Sequence, residues 1–159
     1  MSIAEILSVL RETPGRLRDL TGDLTESQLH TSPEPGEWSL TETLAHLRSC
    51  ADMWGDAIDT ILATDHPTIR AVNPTTWIKS TDYLELDFAP SFLAFTKQRR
   101  RLLSLLGPLP TSAWSRSATV LGGGKPLEST VHRYAYRLAR HERTHWRQVS
   151  KTVRALPPD

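Results

Sequence analysis

The chain has only one cysteine, Cys50, among its 159 residues, so no disulfide can form within it. No stretch approaches the roughly 18 consecutive apolar residues that a membrane-spanning helix needs. The charge is nearly balanced, with 19 Lys and Arg against 18 Asp and Glu, and lacks the basic excess that drives non-specific binding to nucleic acids. We therefore expect neither a nucleic acid nor a membrane as partner.

The N-terminal apolar run is interrupted by charged residues, unlike the apolar segment of a signal peptide, and we expect a cytoplasmic protein. The length suits one domain with one hydrophobic core. Apolar residues recur every three or four positions in four segments, which predicts four amphipathic helices. The sequence thus predicts a single all-α domain over residues 1–159.

The first predicted helix runs from about Ser2 to Gly22. Pro14 lies inside it, and we expect a kink or a short break there because proline removes one backbone donor. After this helix, Thr25 and Gln28 have the spacing that caps one short helical turn.

The second predicted helix has a clear start, because Ser39 and Glu42 have the spacing of a capping box. Its apolar stripe ends near Leu62. The third begins around Pro90, a residue suited to the first helical turn, and stops at Gly107.

Three consecutive arginines, Arg99–Arg101, lie in the third helix, and we expect a solvated face or part of a dimer contact without further function. The triple glycine at 122–124 lacks the pattern of a phosphate-binding loop and predicts the turn of a small hairpin. The fourth helix is expected from roughly Glu128 to Leu156 and has the most regular apolar stripe.

The connection between the second and third helices, from His66 to Asp87, is long and has no helical or strand period. Loops of this length are more often functional than idle. One hypothesis is a lid over the functional site; the other is a packing segment at a dimer interface or along the bundle. The lid hypothesis assigns substrate contacts to Arg70, Trp77 and Tyr83.

Two histidines, His141 and His145, occupy the apolar stripe of the fourth helix, one turn apart. Imidazoles in such positions need partners, and two of them at this spacing can bind one divalent metal. His46, at the edge of the second helix's stripe, is the candidate third ligand. The alternative is that all three are hydrogen-bonded core or surface histidines.

The same segment contains the HExxH pattern of zinc proteases, in which Glu142 would act as general base. Only 14 residues follow His145, and they contain neither the Glu nor the His that completes such a site. A protease is therefore disfavoured. Glu142 either lies beside the metal, as a base or as a hydrogen-bond partner of a ligand, or faces solvent.

Two further residues near these positions have less specific interpretations. Cys50 follows His46 by one helical turn, where it either approaches the site or serves as a small buried residue. Trp38, just before the second helix, is expected to anchor the core.

Two segments carry a family resemblance: Glu37–Leu47, with a Trp-Ser helix start leading to His46, and His141–Val149, with a His pair followed by Gln148. In order and separation the chain resembles the DinB/YfiT-like superfamily. The resemblance implies a four-helix bundle, often a homodimer, with one divalent metal held by His46, His141 and His145. Zinc and nickel are the expected metals.

Characterised members of that superfamily include metal-dependent thiol transferases and a maleylpyruvate isomerase that uses a thiol cofactor. The resemblance therefore implies a transferase that joins a low-molecular-weight thiol to an electrophile, or a related hydrolase. The alternative is a non-catalytic metal-binding or stress-response protein. Arg137, Arg140 and Arg147 on the last helix either attract carboxylates of the thiol or are simply solvated.

Overall fold

Four long helices lie side by side in the computed structural model, which describes residues 1–157. In chain order the helices and strands are α1 Ile3–Thr21, α2 Glu26–His30, α3 Leu40–Ala63, β1 Thr68–Arg70, α4 Pro74–Trp77, α5 Phe88–Leu106, α6 Thr111–Trp114, β2 Ser117–Leu121, β3 Leu127–Thr130 and α7 Val131–Ala155. Helix α7 packs on α1 and α3, and α5 closes the bundle by contacting the same two helices. The predicted four-helix bundle is confirmed.

Local sequence signals explain where the helices begin. Ser39 accepts a hydrogen bond from the Glu42 N–H at 3.2 Å, and the Glu42 carboxylate accepts one from the Ser39 N–H at 2.8 Å. Thr25 and Gln28 cap α2 in the same way. These predicted starts are confirmed, and the first of them places His46 in the second turn of α3.

Helix α1 continues through Pro14 as a single element instead of breaking. Proline at this position leaves the Leu10 carbonyl without its usual intrahelical donor. That carbonyl accepts a hydrogen bond from Arg99 Nη1 of α5 at 2.9 Å. The tertiary structure thus supplies the donor that the local sequence removes.

The prediction that Arg99 lies on a solvated face is wrong, because its side chain is only 1% exposed. Besides the Leu10 carbonyl, its guanidinium contacts the carboxylate of Glu142 on α7 through two hydrogen bonds, one of 2.8 Å. Arg101, two residues further on, is exposed and pairs with Asp59. Two arginines that are two positions apart therefore have different surroundings, because they project from different faces of the helix.

The predicted hairpin is confirmed, with β2 and β3 pairing antiparallel on either side of the triple glycine. The sequence did not reveal β1, which pairs parallel with β2 and makes a three-stranded sheet. Because Glu128 belongs to β3, α7 begins at Val131 and not at the predicted Glu128. Helix α5 likewise begins at Phe88, two residues before the expected Pro90.

The long connection is folded into short pieces: β1, α4 and two single 3₁₀ turns at Ile78–Ser80 and Tyr83–Glu85. Both α4 and the second turn pack against α3, the helix that carries His46. Within residues 1–157, no helix is long and apolar enough to cross a membrane.

Candidate metal centre

Helices α3 and α7 bring the three predicted histidines together. The Nε2 atom of His141 lies 3.0 Å from Nε2 of His46 and 3.1 Å from Nε2 of His145. His141 and His145 are one turn apart on α7, so their rings share one face, and α3 packs against that face. Three imidazole nitrogens therefore converge in a small region between the two helices.

Burial keeps these imidazoles neutral. It lowers the pKa of His46 to about 4 and the pKa of His141 to about 3, with a further lowering from the neighbouring histidines. The pKa of His145 is also lowered, chiefly by burial. Neutral imidazole is the form that binds a metal, so the cluster is in its ligand state at neutral pH.

The orientation of one ring is fixed by a neighbour on the same helix. His145 Nδ1 lies 2.7 Å from Oε1 of Gln148, and since an amide oxygen only accepts, Nδ1 carries the proton. The lone pair of His145 Nε2 is thereby directed at His141. Gln148 orients this imidazole in the way that outer partners orient the ligands of known metal sites.

The geometry of the cluster fits a metal. Two imidazole nitrogens on one tetrahedral zinc lie roughly 3.3 Å apart, close to the 3.0 and 3.1 Å observed. The buried Nδ1 atoms of His46 and His141 have no hydrogen-bond partner within the described chain. A metal bound to the Nε2 atoms would give each ring a partner for that nitrogen. This would offset part of the cost of burying the imidazole.

Cys50 lies at the same point. Its Sγ is 3.8 Å from His46 Nε2 and 3.9 Å from His141 Nε2, against roughly 3.6 Å between sulfur and nitrogen on one tetrahedral zinc. Burial raises the pKa of the Cys50 thiol to about 12, so the thiol keeps its proton unless a cation displaces it. Both interpretations of Cys50 match the structure, since the residue is fully buried and its Sγ also approaches the site.

Glu142 is placed differently from either expectation. It is 1% exposed, so it does not face solvent, and its two carboxylate oxygens are both bonded to the Arg99 guanidinium. Both oxygens are already used as acceptors in this buried ion pair. The predicted role of Glu142 as a general base is therefore not supported by its contacts.

The long connection forms one wall of a pocket beside His46. This His46 pocket, of about 270 Å³, is lined by Trp38, Glu42, His46, Thr75, Thr76, Ile78, Lys79 and Leu84. The lid hypothesis required the connection to lie near the histidines, and it does. Trp38 is 40% exposed with its ring centred 5.0 Å from that of His46, so the expectation of a core anchor is wrong.

The three predicted substrate residues lie elsewhere on this segment. Arg70 and Trp77 line a neighbouring cavity of about 280 Å³ with Trp54 of α3. Tyr83 donates a hydrogen bond to the Asp52 carboxylate at 2.8 Å, and the Arg48 guanidinium stacks over its ring. None of the three is among the described residues that line the His46 pocket.

Comparison with known proteins places this arrangement in a family. The sequence model of the DinB superfamily matches residues 10–149, which include the three histidines and Cys50. The chain belongs to the DinB superfamily. The resemblance noted from the two His-containing segments is thus confirmed.

Named relatives of this DinB-superfamily chain come from Geobacillus. A protein of Geobacillus kaustophilus strain HTA426, named "Putative metal-dependent hydrolase", is 25% identical over 93% of this chain and 82% of its own length. A protein of the same description from Geobacillus thermodenitrificans strain NG80-2 is also 25% identical, over 72% of this chain and 64% of its own.

Among solved structures, YfiT from Bacillus subtilis has the same fold. It superimposes with a TM-score of 0.81 at 20% identity, over 97% of this chain and 89% of YfiT. That structure is described as a probable metal-dependent hydrolase with an unusual four-helix bundle topology. The small sheet before α7 completes the same architecture in this DinB-superfamily chain.

Proposed function

We propose that this DinB-superfamily chain is a metal-dependent enzyme whose His46, His141 and His145 hold one divalent metal. The observation that supports the proposal is the convergence of three neutral Nε2 atoms at 3.0 and 3.1 Å. Imidazole ligands suit zinc and nickel, which are the metals we expect. The names of the Geobacillus relatives support a metal-dependent reaction.

Such a metal supplies one kind of chemistry: it lowers the pKa of a bound water or thiol so that the nucleophile is available at neutral pH. The two reactions differ in one requirement. Hydrolysis is helped by a protein base that takes a proton from water, whereas thiol transfer can proceed without one. Near the cluster, both oxygens of the Glu142 carboxylate are held by Arg99. Glu42, which lines the His46 pocket, accepts the Ser39 N–H with one of its two oxygens.

Because Glu142, the neighbour of His141 in the chain, is held by Arg99, we propose a low-molecular-weight thiol as the nucleophile, with hydrolysis, for which Glu42 is the candidate base, as the competing reaction. The thiol is a stronger acid than water and would release its proton to solvent water, leaving the electron pair of the S–H bond on sulfur, without a carboxylate base. Its sulfur then forms a bond to the electrophilic carbon, and the leaving group departs with its bonding electrons. In this reaction the protein itself would hold the neutral imidazoles close together and cover the site with the 66–87 connection.

Elemental analysis of protein purified without an affinity tag tests the metal centre. We expect close to one metal per chain, and its loss from folded His46→Ala, His141→Ala and His145→Ala variants. His132→Ala, on the same helix but packed against Trp114, is the matched control and should keep the metal. Wild-type protein that neither contains metal nor takes up added zinc or nickel would overturn the proposal.

A second candidate function is supported by Cys50. Four protein ligands close a zinc site, as in structural or sensing centres, whereas three leave a position open for a substrate. In cobalt-loaded protein, a near-ultraviolet thiolate charge-transfer band that is lost in Cys50→Ser would show sulfur ligation and favour the non-catalytic protein. Identical spectra for the two proteins would favour the open, catalytic site.

The chemistry of the electrophile separates the two enzymatic alternatives. Metal-loaded protein incubated with an activated ester or alkyl halide, with and without a small thiol, should form the thioether or thioester only when thiol is present. Product release that is equal without thiol would instead indicate a hydrolase. The predicted homodimer is a further proposal, tested by the molar mass in solution from light scattering.

A further inference from the structure

Helix α7 carries an unequal share of the charge. It has seven of the 19 Lys and Arg residues of the chain but only one of the 18 acidic residues, Glu142, which is buried on Arg99. The exposed face of α7 is therefore basic throughout, although the whole chain has a net charge of only +1. A local positive field of this kind attracts anions.

This face is concave next to His141. A cavity of about 430 Å³ is lined by Trp54, Arg133, Tyr136, Arg137, Arg140, His141 and Thr144, and we call it the arginine mouth. It includes three guanidinium groups and, among residues 1–157, no carboxylate in its lining. It is distinct from the His46 pocket, which contains one Lys and one Glu.

The wall of the arginine mouth is built from groups in contact. The Trp54 ring meets the His141 ring edge to face with centroids 5.3 Å apart, and the Arg137 guanidinium lies over the Trp54 ring at 5.6 Å. Arg133, Arg137 and Arg140 form no ion pair within the described chain. Guanidinium groups left free beside a candidate reaction centre are suited to planar anions such as carboxylate or phosphate.

We propose that the arginine mouth binds the anionic group, carboxylate or phosphate, of the small-molecule substrate, with Arg137 and Arg140 as the binding residues. The proposal rests on the proposed function, since it names the substrate class of the same site. The mouth has the volume of a small-molecule site. Two other basic cavities lie along α7 and have Arg143 and Arg147 in their linings, but neither includes a histidine of the cluster. The arginine mouth includes His141, which favours a small anion held beside the candidate centre over a long polyanion bound along the helix.

NMR titration of the folded, zinc-loaded protein tests the mouth. The probes are succinate and methyl phosphate, with succinamide as the neutral isostere of succinate. We expect saturable shifts of the Arg137 and Arg140 Nε–Hε signals and of the Trp54 indole N–H with the anions, and none with succinamide. Comparison of the two anions tells carboxylate from phosphate preference.

Two double variants with equal loss of charge separate a site from a general field. Arg137→Gln/Arg140→Gln should bind the preferred anion at least tenfold more weakly. Lys151→Gln/Arg154→Gln, on the same helix but away from His141, should bind it within twofold of the wild type. Equal weakening in both double variants would overturn the proposal, and so would binding of succinamide as tight as that of succinate.

The same samples distinguish failure of the mouth from failure of the metal centre. If one zinc binds per chain and the anions cause no saturable shifts, the metal-centre proposal stands and the proposal for the arginine mouth is overturned. Anion binding with the expected variant pattern in a protein that takes up no metal would remove the proposed function and leave an anion site. A short DNA duplex serves as a competitor. If it displaces the anion, and if both double variants bind the duplex equally more weakly than the wild type, the basic face would be assigned to nucleic acid and the proposal overturned.

Discussion

Adjacent residues on α7 lie in two buried polar regions with opposite properties. On the side of α1 and α5, Glu142 pairs with Arg99, which also donates to the Leu10 carbonyl. On the side of α3, His141 meets His46 and His145, and two Nδ1 atoms have no partner within residues 1–157. The first region holds opposite charges in contact, whereas the second holds neutral groups of one kind.

The difference separates a structural role from a functional one. Buried polar groups are normally hydrogen-bonded, and the opposite charges of Arg99 and Glu142 meet in direct contact, so this pair is explained by the fold alone, although the buried Nε of Arg99 has no partner within residues 1–157. The histidine cluster is not explained in this way, because three converging nitrogens gain little from one another without a cation. The following predictions test this contrast between the buried ion pair and the histidine cluster.

The largest effect is expected from Arg99→Leu. It leaves the Glu142 carboxylate and the Leu10 carbonyl buried without partners, and such losses lower the free energy of unfolding by about 3–5 kcal/mol. Urea unfolding at pH 7 measures the change. The matched control is Arg101→Leu, which removes an exposed pair with Asp59 on the same helix and should lower the free energy by about 0–1 kcal/mol. Similar losses in both variants would contradict a structural role specific to Arg99.

Metal should stabilise the histidine region and not the ion pair. Zinc at about 100 times its dissociation constant is expected to raise the free energy of unfolding by about 2.7 kcal/mol, because it binds only the folded chain. Thermal unfolding with and without zinc measures this gain. His141→Ala should abolish the gain and His132→Ala should keep it; a gain that survives His141→Ala would place the metal elsewhere.

Acid should destabilise the metal-free protein. Folding lowers the pKa of His46 to about 4 and that of His141 to about 3, so between these values and about 6.5 the unfolded chain binds more protons. Stability is therefore full above pH 6.5 and falls as the pH drops toward 4, by an amount on the order of 2 kcal/mol for each of the two histidines at pH 5.

Urea unfolding at pH 7 and pH 5 measures this fall. The His141→Ala variant should lose less stability than the wild type over the same interval, because one of the depressed groups is gone. An equal or larger loss in the variant would show that other groups cause the acid sensitivity.

The smallest effect is expected at Gln148. Gln148→Leu removes the acceptor for His145 Nδ1–H, and loss of such an outer partner weakens metal binding by about tenfold, or about 1.4 kcal/mol. Competition with a chelator measures the affinity. Gln148→Glu keeps an acceptor oxygen and should restore most of it, so a variant that fails to rescue would indicate a packing role for Gln148.

Much of the fold could be predicted because its signals are local. The capping boxes at Thr25 and Ser39, the apolar stripes and the glycine turn gave helix and hairpin positions within a few residues. Strand β1 was missed because its pairing with β2 depends on residues about 50 positions apart. The start of α7 was misplaced for a different reason: Glu128 pairs with Thr119 across the hairpin and so belongs to β3.

The site shows the same division. The spacing of His141 and His145 on one helical face, and a third histidine on another stripe, could be recognised from the sequence. Trp38 and Gln148 were recognised only as parts of the family resemblance, and the residues that the 66–87 connection adds to the His46 pocket carried no signal of their own. Whether these donors bind metal stays a prediction for the experiments above.

The four helices, their caps and the helix faces on which the histidines lie can be predicted from the sequence alone, because periodicity and capping act over a few residues. Only the tertiary structure decided that Arg99 is buried on Glu142 and the Leu10 carbonyl, that Cys50 lies beside His46 and His141, and that arginines flank the cavity at His141. These contacts join helices far apart in the chain, and their partners are chosen by packing, which no local pattern encodes.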